Sequence, residues 1–126
     1  MKDQKSCGSC WPFSALGAIA GNCGLKTQKW LDLAEQELVD CVHDFECNGC
    51  NGGWMSYAMN YVYLKDGVAK TSQYPYIGRD GGSCKDVHDS DRFCGPKKIY
   101  NFPPGSYDDL IYALNNGPVA VGVNAG

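Results

Sequence analysis

The segment Gln4-Lys5-Ser6-Cys7-Gly8-Ser9-Cys10-Trp11 runs straight into a stretch where Phe13, Leu16, Ala20 and Cys23 recur at spacings of three and four. That period is the mark of a helix buried on one side, spanning Cys10 to Gly24. A thiol at Cys10 then meets the unpaired N–H groups and the positive dipole end of a helix, which favour thiolate, the nucleophilic form of cysteine. Gly8 and Ser9 are small enough to leave the sulfur open to a ligand. Gln4 offers an amide donor that can point, beside the Cys10 N–H, at an oxyanion formed next to the thiol. On this stretch alone, a structural use of Cys7 and Cys10 in a metal site or a disulfide net stands as an equal alternative.

A second segment, Cys47-Asn48-Gly49-Cys50-Asn51-Gly52-Gly53-Trp54, reads as a glycine-rich turn. Without side chains at Gly52 and Gly53, an extended peptide can approach the backbone and bond to it as an added strand. Trp54 and Met55 would then wall an apolar pocket. The plainer alternative is a tight turn whose tryptophan is core. The two segments also spell Cys-x-x-Cys twice, at Cys7 with Cys10 and at Cys47 with Cys50, so a structural zinc site with four cysteine ligands is a rival. Against it, the stretch between the pairs is about twice the 15 to 20 residues such sites use, and it holds an amphipathic helix. A redox dithiol at Cys7 and Cys10 would need a preceding strand, which the sequence does not offer.

Further along, Glu35 to Cys41 predicts a short second helix through Leu38, Val39 and Cys41, and Trp54, Ala58, Tyr61 and Val62 mark a third that stops near Gly67. From Gly67 to Gly105 the chain is rich in Gly, Pro, Asp and Ser, with Tyr74-Pro75-Tyr76 and Gly78-Arg79-Asp80-Gly81-Gly82 reading as loops. Ser106 caps a fourth helix carrying Tyr107, Leu110, Ile111 and Leu114, closed by Asn116-Gly117-Pro118. Alternation of Val119, Val121 and Val123 predicts a strand, for which the chain supplies no evident partner.

Composition narrows the function classes. The 126 residues suit one compact unit, and 11 Lys plus Arg against 14 Asp plus Glu give a net charge of −3 with no basic stripe, which argues against nucleic acid as a partner. No apolar run approaches the ~18 residues of a membrane span. Eight cysteines point to an oxidising compartment, while Met1 to Lys5 are polar and open no signal core. A leader is therefore expected to lie outside this chain.

The segments QKSCGSCWPFS (Gln4 to Ser14), AEQELVDC (Ala34 to Cys41), GCNGG (Gly49 to Gly53), Tyr74-Pro75-Tyr76 and NGPVAVGVNA (Asn116 to Ala125) stand in the order found in papain-like cysteine proteases. The chain resembles that family nearly end to end. It is closer to cathepsin L-like members than to cathepsin B-like ones, whose occluding-loop His-His pair it lacks. The resemblance implies an α+β, papain-like fold, with residues 1–105 as the helical left domain and 106–126 as the first helix and strand of the right β domain. It makes Cys10 the nucleophile of a peptide-bond hydrolase working through an acyl-enzyme, and Gln4, with the Cys10 N–H, the oxyanion hole. Gly8 would line the site for the residue before the scissile bond, and Gly53 would bond the substrate backbone. Trp54, Met55 and Gly122 would surround the pocket for the next residue upstream, which should prefer an apolar side chain. Disulfides Cys7–Cys50 and Cys41–Cys84 are implied too, leaving Cys23, Cys47 and Cys94, an odd number, unassigned. No metal or cofactor is implied. The expected partners are a polypeptide substrate and a propeptide or complementary C-terminal chain, in a lysosomal or extracellular setting.

The family places its general-base His, then an Asn, about 130 to 150 residues after the cysteine, beyond Gly126. The histidines present, His43 and His88, match no such segment and read as solvated loop residues. The chain by itself is therefore expected to be inactive or nearly so, and a non-catalytic peptide-binding module is the alternative from another class. Three departures are local. Pro12 disfavours helical angles at Trp11 and puts the pose of Cys10 in question, Ala20 stands where a Glu is common, and Ala34 stands where Ser usually caps the second helix.

Overall fold

The helical periods of the sequence become α1 (Cys10–Thr27), α2 (Glu35–Cys41), α3 (Met55–Leu64) and α4 (Tyr107–Asn116) in the computed structural model, which describes residues 1–44 and 46–126. Helix α1 continues past Gly24 and stops where Gln28 turns left-handed, φ 59°, its N–H bonding Gly24 O at 2.9 Å. Pro12 falls in its first turn, where a missing N–H leaves no bond unmade, and Trp11 is helical all the same. The face turned inward is Trp11, Ala15, Leu16 and Ile19, while Phe13, Ala20 and Cys23 lie half-buried on its flank. The expected stripe is thus rotated, because α1 packs against α2, α3 and a strand pair at once. Leu33, Leu38, Val42, Ala58, Val62 and Val68 close the same core, each large aliphatic contributing about 1.5–3 kcal/mol by leaving water.

Helix α2 is too short to be stable alone, and no side chain caps it at Ala34. It is held instead by polar groups that point inward. Glu35, Gln36, Glu37 and Asp40 are at most 4% exposed; Glu35 pairs with Lys2 ahead of α1, and the other three find partners on α3 and the irregular chain after it. Glu37 accepts from Arg92 Nη1 at 2.8 Å, Tyr61 OH at 3.1 Å and the Ala69 N–H at 2.7 Å. Asp40 accepts from Tyr74 OH and the Gly81 N–H, both at 2.9 Å, and Gln36 bonds the Ile77 N–H and the Arg79 carbonyl. Among the described residues no buried side-chain N or O lacks a partner.

The loop-rich stretch holds a small antiparallel ladder, β1 (Gly67–Val68) with β2 (Phe93–Cys94), pairing Gly67 with Cys94 and Val68 with Phe93. A disulfide at Cys7–Cys50 joins the segment before α1 to the glycine-rich turn, and two more staple the loop-rich stretch to the helices: Cys41–Cys84 on α2 and Cys23–Cys94 on α1. The last joins the two cysteines of the unassigned trio that lie on α1 and β2. One expectation fails. Residues 118–126 form no strand, since a strand exists only through a ladder and none of the described chain supplies the neighbouring edge. Val121 and Val123 are accordingly 51% and 81% exposed.

Candidate active site

Cys10 is the first residue of α1, unpaired and solvent-exposed, while Ser9 before it is fully buried. Helix geometry leaves the N–H groups of this first turn without intrahelical acceptors, so the Cys10 N–H is a free donor beside the sulfur. Gln4 lies in the same loop. Its side-chain amide donates to Cys7 O at 3.0 Å, which fixes its orientation and leaves the second amide hydrogen for another acceptor.

The loop that leads into Cys10 and the glycine-rich segment are tied at three points. The Cys7–Cys50 disulfide is one, and the others are Gly8 N–H to Cys50 O at 2.8 Å and Trp11 Nε1 to Gly49 O at 3.1 Å. Glycine is required at the contacts. A Cβ at Gly8 would lie 2.5 Å from the Cys50 carbonyl oxygen, and one at Gly53 would meet the Trp11 ring at 2.8 Å and Cys47 Sγ at 3.0 Å. Gly52, at φ 111°, has open space where a side chain would stand. Beyond this ledge Trp54 is 56% exposed and Met55 half-buried, and a Cβ on Gly122 would sit 3.6 Å from Met55 Cε. Met55 and Gly122, far apart in sequence, therefore face one another.

The two unpaired cysteines differ sharply. Cys47 is buried, with Trp54 N–H directed at its sulfur at 3.5 Å, and burial pushes its thiol up, reinforced by Asp44 and Glu46. Cys10 is open to solvent. The Cys7–Cys50 bond removes two of the four thiolates that a zinc site at Cys7, Cys10, Cys47 and Cys50 would need, and it equally removes the Cys7–Cys10 dithiol. Neither histidine joins the site: His43 Nε2 bonds Asp40 O at the end of α2, His88 is exposed beside a 3-10 turn, and among the described residues no hydrogen bond links Cys10 to either.

A family model described as "Papain family cysteine protease" matches residues 1–126. The chain belongs to the papain family. It is 43% identical over 135 residues to a probable cysteine protease of Arabidopsis thaliana, RD19B, and 40% identical over 130 residues to cathepsin L 2 of Paramecium tetraurelia. These matches cover 99% of this chain but only 36% and 38% of those proteins. The solved structure of digestive procathepsin L 3 from Tenebrio molitor larval midgut superposes with a TM-score of 0.81 at 34% identity, over 90% of this chain and 36% of that one. The α+β architecture is thus papain-like, and the chain corresponds to little more than a third of the length of its cathepsin L-like relatives.

Two groups brace the Gln4–Cys10 loop and the glycine-rich segment without a local sequence signal. Tyr76 OH lies 2.7 Å from both Gln4 O and Ser9 Oγ, and Asp80 Oδ1 accepts the Cys50 N–H at 2.8 Å. Tyr76 belongs to the Tyr-Pro-Tyr motif, but nothing in local spacing names its partners some seventy residues away.

Proposed function

We propose that this chain forms one side of the active site of a thiol endopeptidase acting on polypeptides. Cys10 is the nucleophile, Gln4 and the Cys10 N–H bind the oxyanion, and Gly8 lines the position of the residue before the scissile bond. Gly52 and Gly53 present bare main chain to the substrate, and Trp54, Met55 and Gly122 wall an apolar pocket for the next residue upstream. Residues 1–105 act as the helical half, and 106–126 begin the second half. The observation that carries this reading is the contrast between cysteines: Cys10 alone is both unpaired and exposed, at a helix start tied by three bonds to a glycine ledge.

In the reaction, Cys10 Sγ bonds to the substrate carbonyl carbon, the C–N bond breaks, and the amine leaves with a proton. Water then cleaves the thioester, returning the thiol and releasing the acid. The proton carrier for both steps is a histidine outside residues 1–126, with an asparagine to orient it. Losing such a base lowers rates by about 10² to 10⁴, so the chain alone turns over peptide slowly or not at all. The working compartment is lysosomal or extracellular, in keeping with three disulfides.

A peptide with an apolar residue two positions before a fluorogenic leaving group tests this. The chain alone should show negligible turnover, and addition of a complementary C-terminal polypeptide from a cathepsin L-like relative should raise it, with Cys10→Ala abolishing the gain. Turnover by the chain alone that is lost in Cys10→Ala but kept in His43→Ala and His88→Ala would overturn the dependence on an external base. If Cys10→Ala leaves peptide binding unchanged and no electrophile labels Cys10, the non-catalytic binding module takes its place.

A further inference from the structure

The Tyr76 hydroxyl stands between the two parts of the proposed oxyanion hole. It lies 2.7 Å from the main-chain oxygen of Gln4 and 2.7 Å from Ser9 Oγ, the residue immediately before the nucleophile. The donor inventory fixes the directions. A carbonyl can only accept, so the single phenolic proton goes to Gln4 O, and Ser9 Oγ–H donates to the phenol oxygen at 2.7 Å in preference to Cys7 O, which lies 3.4 Å away. The result is a short chain, Ser9 hydroxyl to Tyr76 hydroxyl to Gln4 carbonyl, that closes the loop between residues 4 and 9 across its open side. Ser9 has no exposed surface, so water does not compete for its hydroxyl.

Tyr76 is itself well anchored. Its ring meets Phe13 edge-on, centroids 5.1 Å apart with planes at 86°, and Phe13 lies on the first turn of α1. The next residue, Ile77, donates its N–H to the buried Gln36 Oε1 at 3.0 Å, which ties the loop to α2. At Gly78 the chain turns with φ 69° so close to Lys5 that a Cβ there would lie 2.9 Å from Lys5 Cδ. The hydroxyl therefore registers Gln4 and Cys10 against a fixed framework. From this we infer that Tyr76 is a positioning residue for the oxyanion hole, holding the Gln4 amide and the Cys10 N–H at a common point. The inference rests on the role given above to Cys10 and Gln4. Oxyanion donors act only within a few tenths of an ångström of the right place, so loss of the bridge should weaken oxyanion binding while leaving the thiol itself untouched.

Tyr76→Phe removes one oxygen and keeps the ring against Phe13, and Ser9→Ala removes the same bridge from its other end. The probe is a peptidyl aldehyde labelled with carbon-13 at the carbonyl, whose addition to Cys10 creates a tetrahedral hemithioacetal oxygen. Iodoacetamide, which alkylates the same sulfur with no oxyanion, is the control. Tyr76→Phe should raise the aldehyde dissociation constant about tenfold, and Ser9→Ala should raise it in the same direction, with the iodoacetamide rate at Cys10 unchanged in both. If the unsubstituted chain forms no hemithioacetal at Cys10, the endopeptidase reading fails and the role of Tyr76 with it. If it does, and both variants bind the aldehyde as tightly, or if iodoacetamide slows in parallel, the bridge alone is refuted.

Discussion

A single carbonyl oxygen shows how tightly the site is drawn. Cys50 O accepts the Gly8 N–H, and any Cβ on Gly8 would press to within 2.5 Å of it, with backbone on both sides unable to rotate away. Gly8→Ala should therefore lower stability by about 1–3 kcal/mol in chemical denaturation and slow labelling of Cys10 by a peptidyl electrophile more than labelling by iodoacetamide. Equal slowing of both reagents would count against a ledge that contacts substrate. Two tyrosines carry a pH signature at the same scale. Burial, with Glu37 adding to it, pushes Tyr61 up to about 12, and burial, with Asp40 adding to it, pushes Tyr74 up to about 12. Unfolded, each loses its proton near ~10, so between those values the unfolded state binds fewer protons than the folded one and stability falls as pH rises. Denaturation midpoints taken from pH 9 to 12 should drop across that range, and Tyr61→Phe should flatten the slope.

Helix α2 shows which elements were legible and which were not. The apolar periods of α1, α3 and α4 announce them, and the capping pattern at Ser106 appears as the Asp109 N–H to Ser106 Oγ bond at 3.3 Å. What α2 does could not be read, because its work is done by Glu37, Gln36 and Asp40, whose partners beyond the helix lie 24 to 55 residues downstream and leave no local period. The same blindness covers the two-residue strands β1 and β2, too short to alternate, and the hydroxyl of Tyr76. Cys10, Gly8 and the ledge were legible because their constraint is local: small residues and a helix start. Conversely the Val119–Val123 alternation was sound as a pattern but has no edge to join. The ion pair of Arg92 with Glu37 is the exposed nerve of the α2 hub, its side chains 7% and 0% exposed. Arg92→Ala leaves a buried carboxylate uncompensated and should destabilise by about 3–5 kcal/mol in urea titration. A loss under 1 kcal/mol would mean that Tyr61 and the Ala69 N–H suffice to hold it.

At the scale of the molecule, disulfides and an uncovered apolar face define what the chain is. Cys23–Cys94 closes a separation of 71 residues, for which loop entropy amounts to about 4 kcal/mol, and it fastens β2 to the helix that begins at Cys10. Cys23→Ser combined with Cys94→Ser should lower the thermal midpoint without altering the iodoacetamide rate at Cys10. Ile111, Leu114, Val121 and Val123 are exposed on α4 and the segment after it. All of this matters only if the sulfur at the head of α1 is free and reactive in the native protein. Treatment of the unreduced protein with a peptidyl electrophile, followed by mass mapping of its proteolytic peptides, decides that. Cys10 should be modified, the buried Cys47 should not, and Cys7 should be recovered crosslinked to Cys50; Cys10 bridged to another thiol, or unlabelled while Cys47 is labelled, would overturn the role proposed for Cys10.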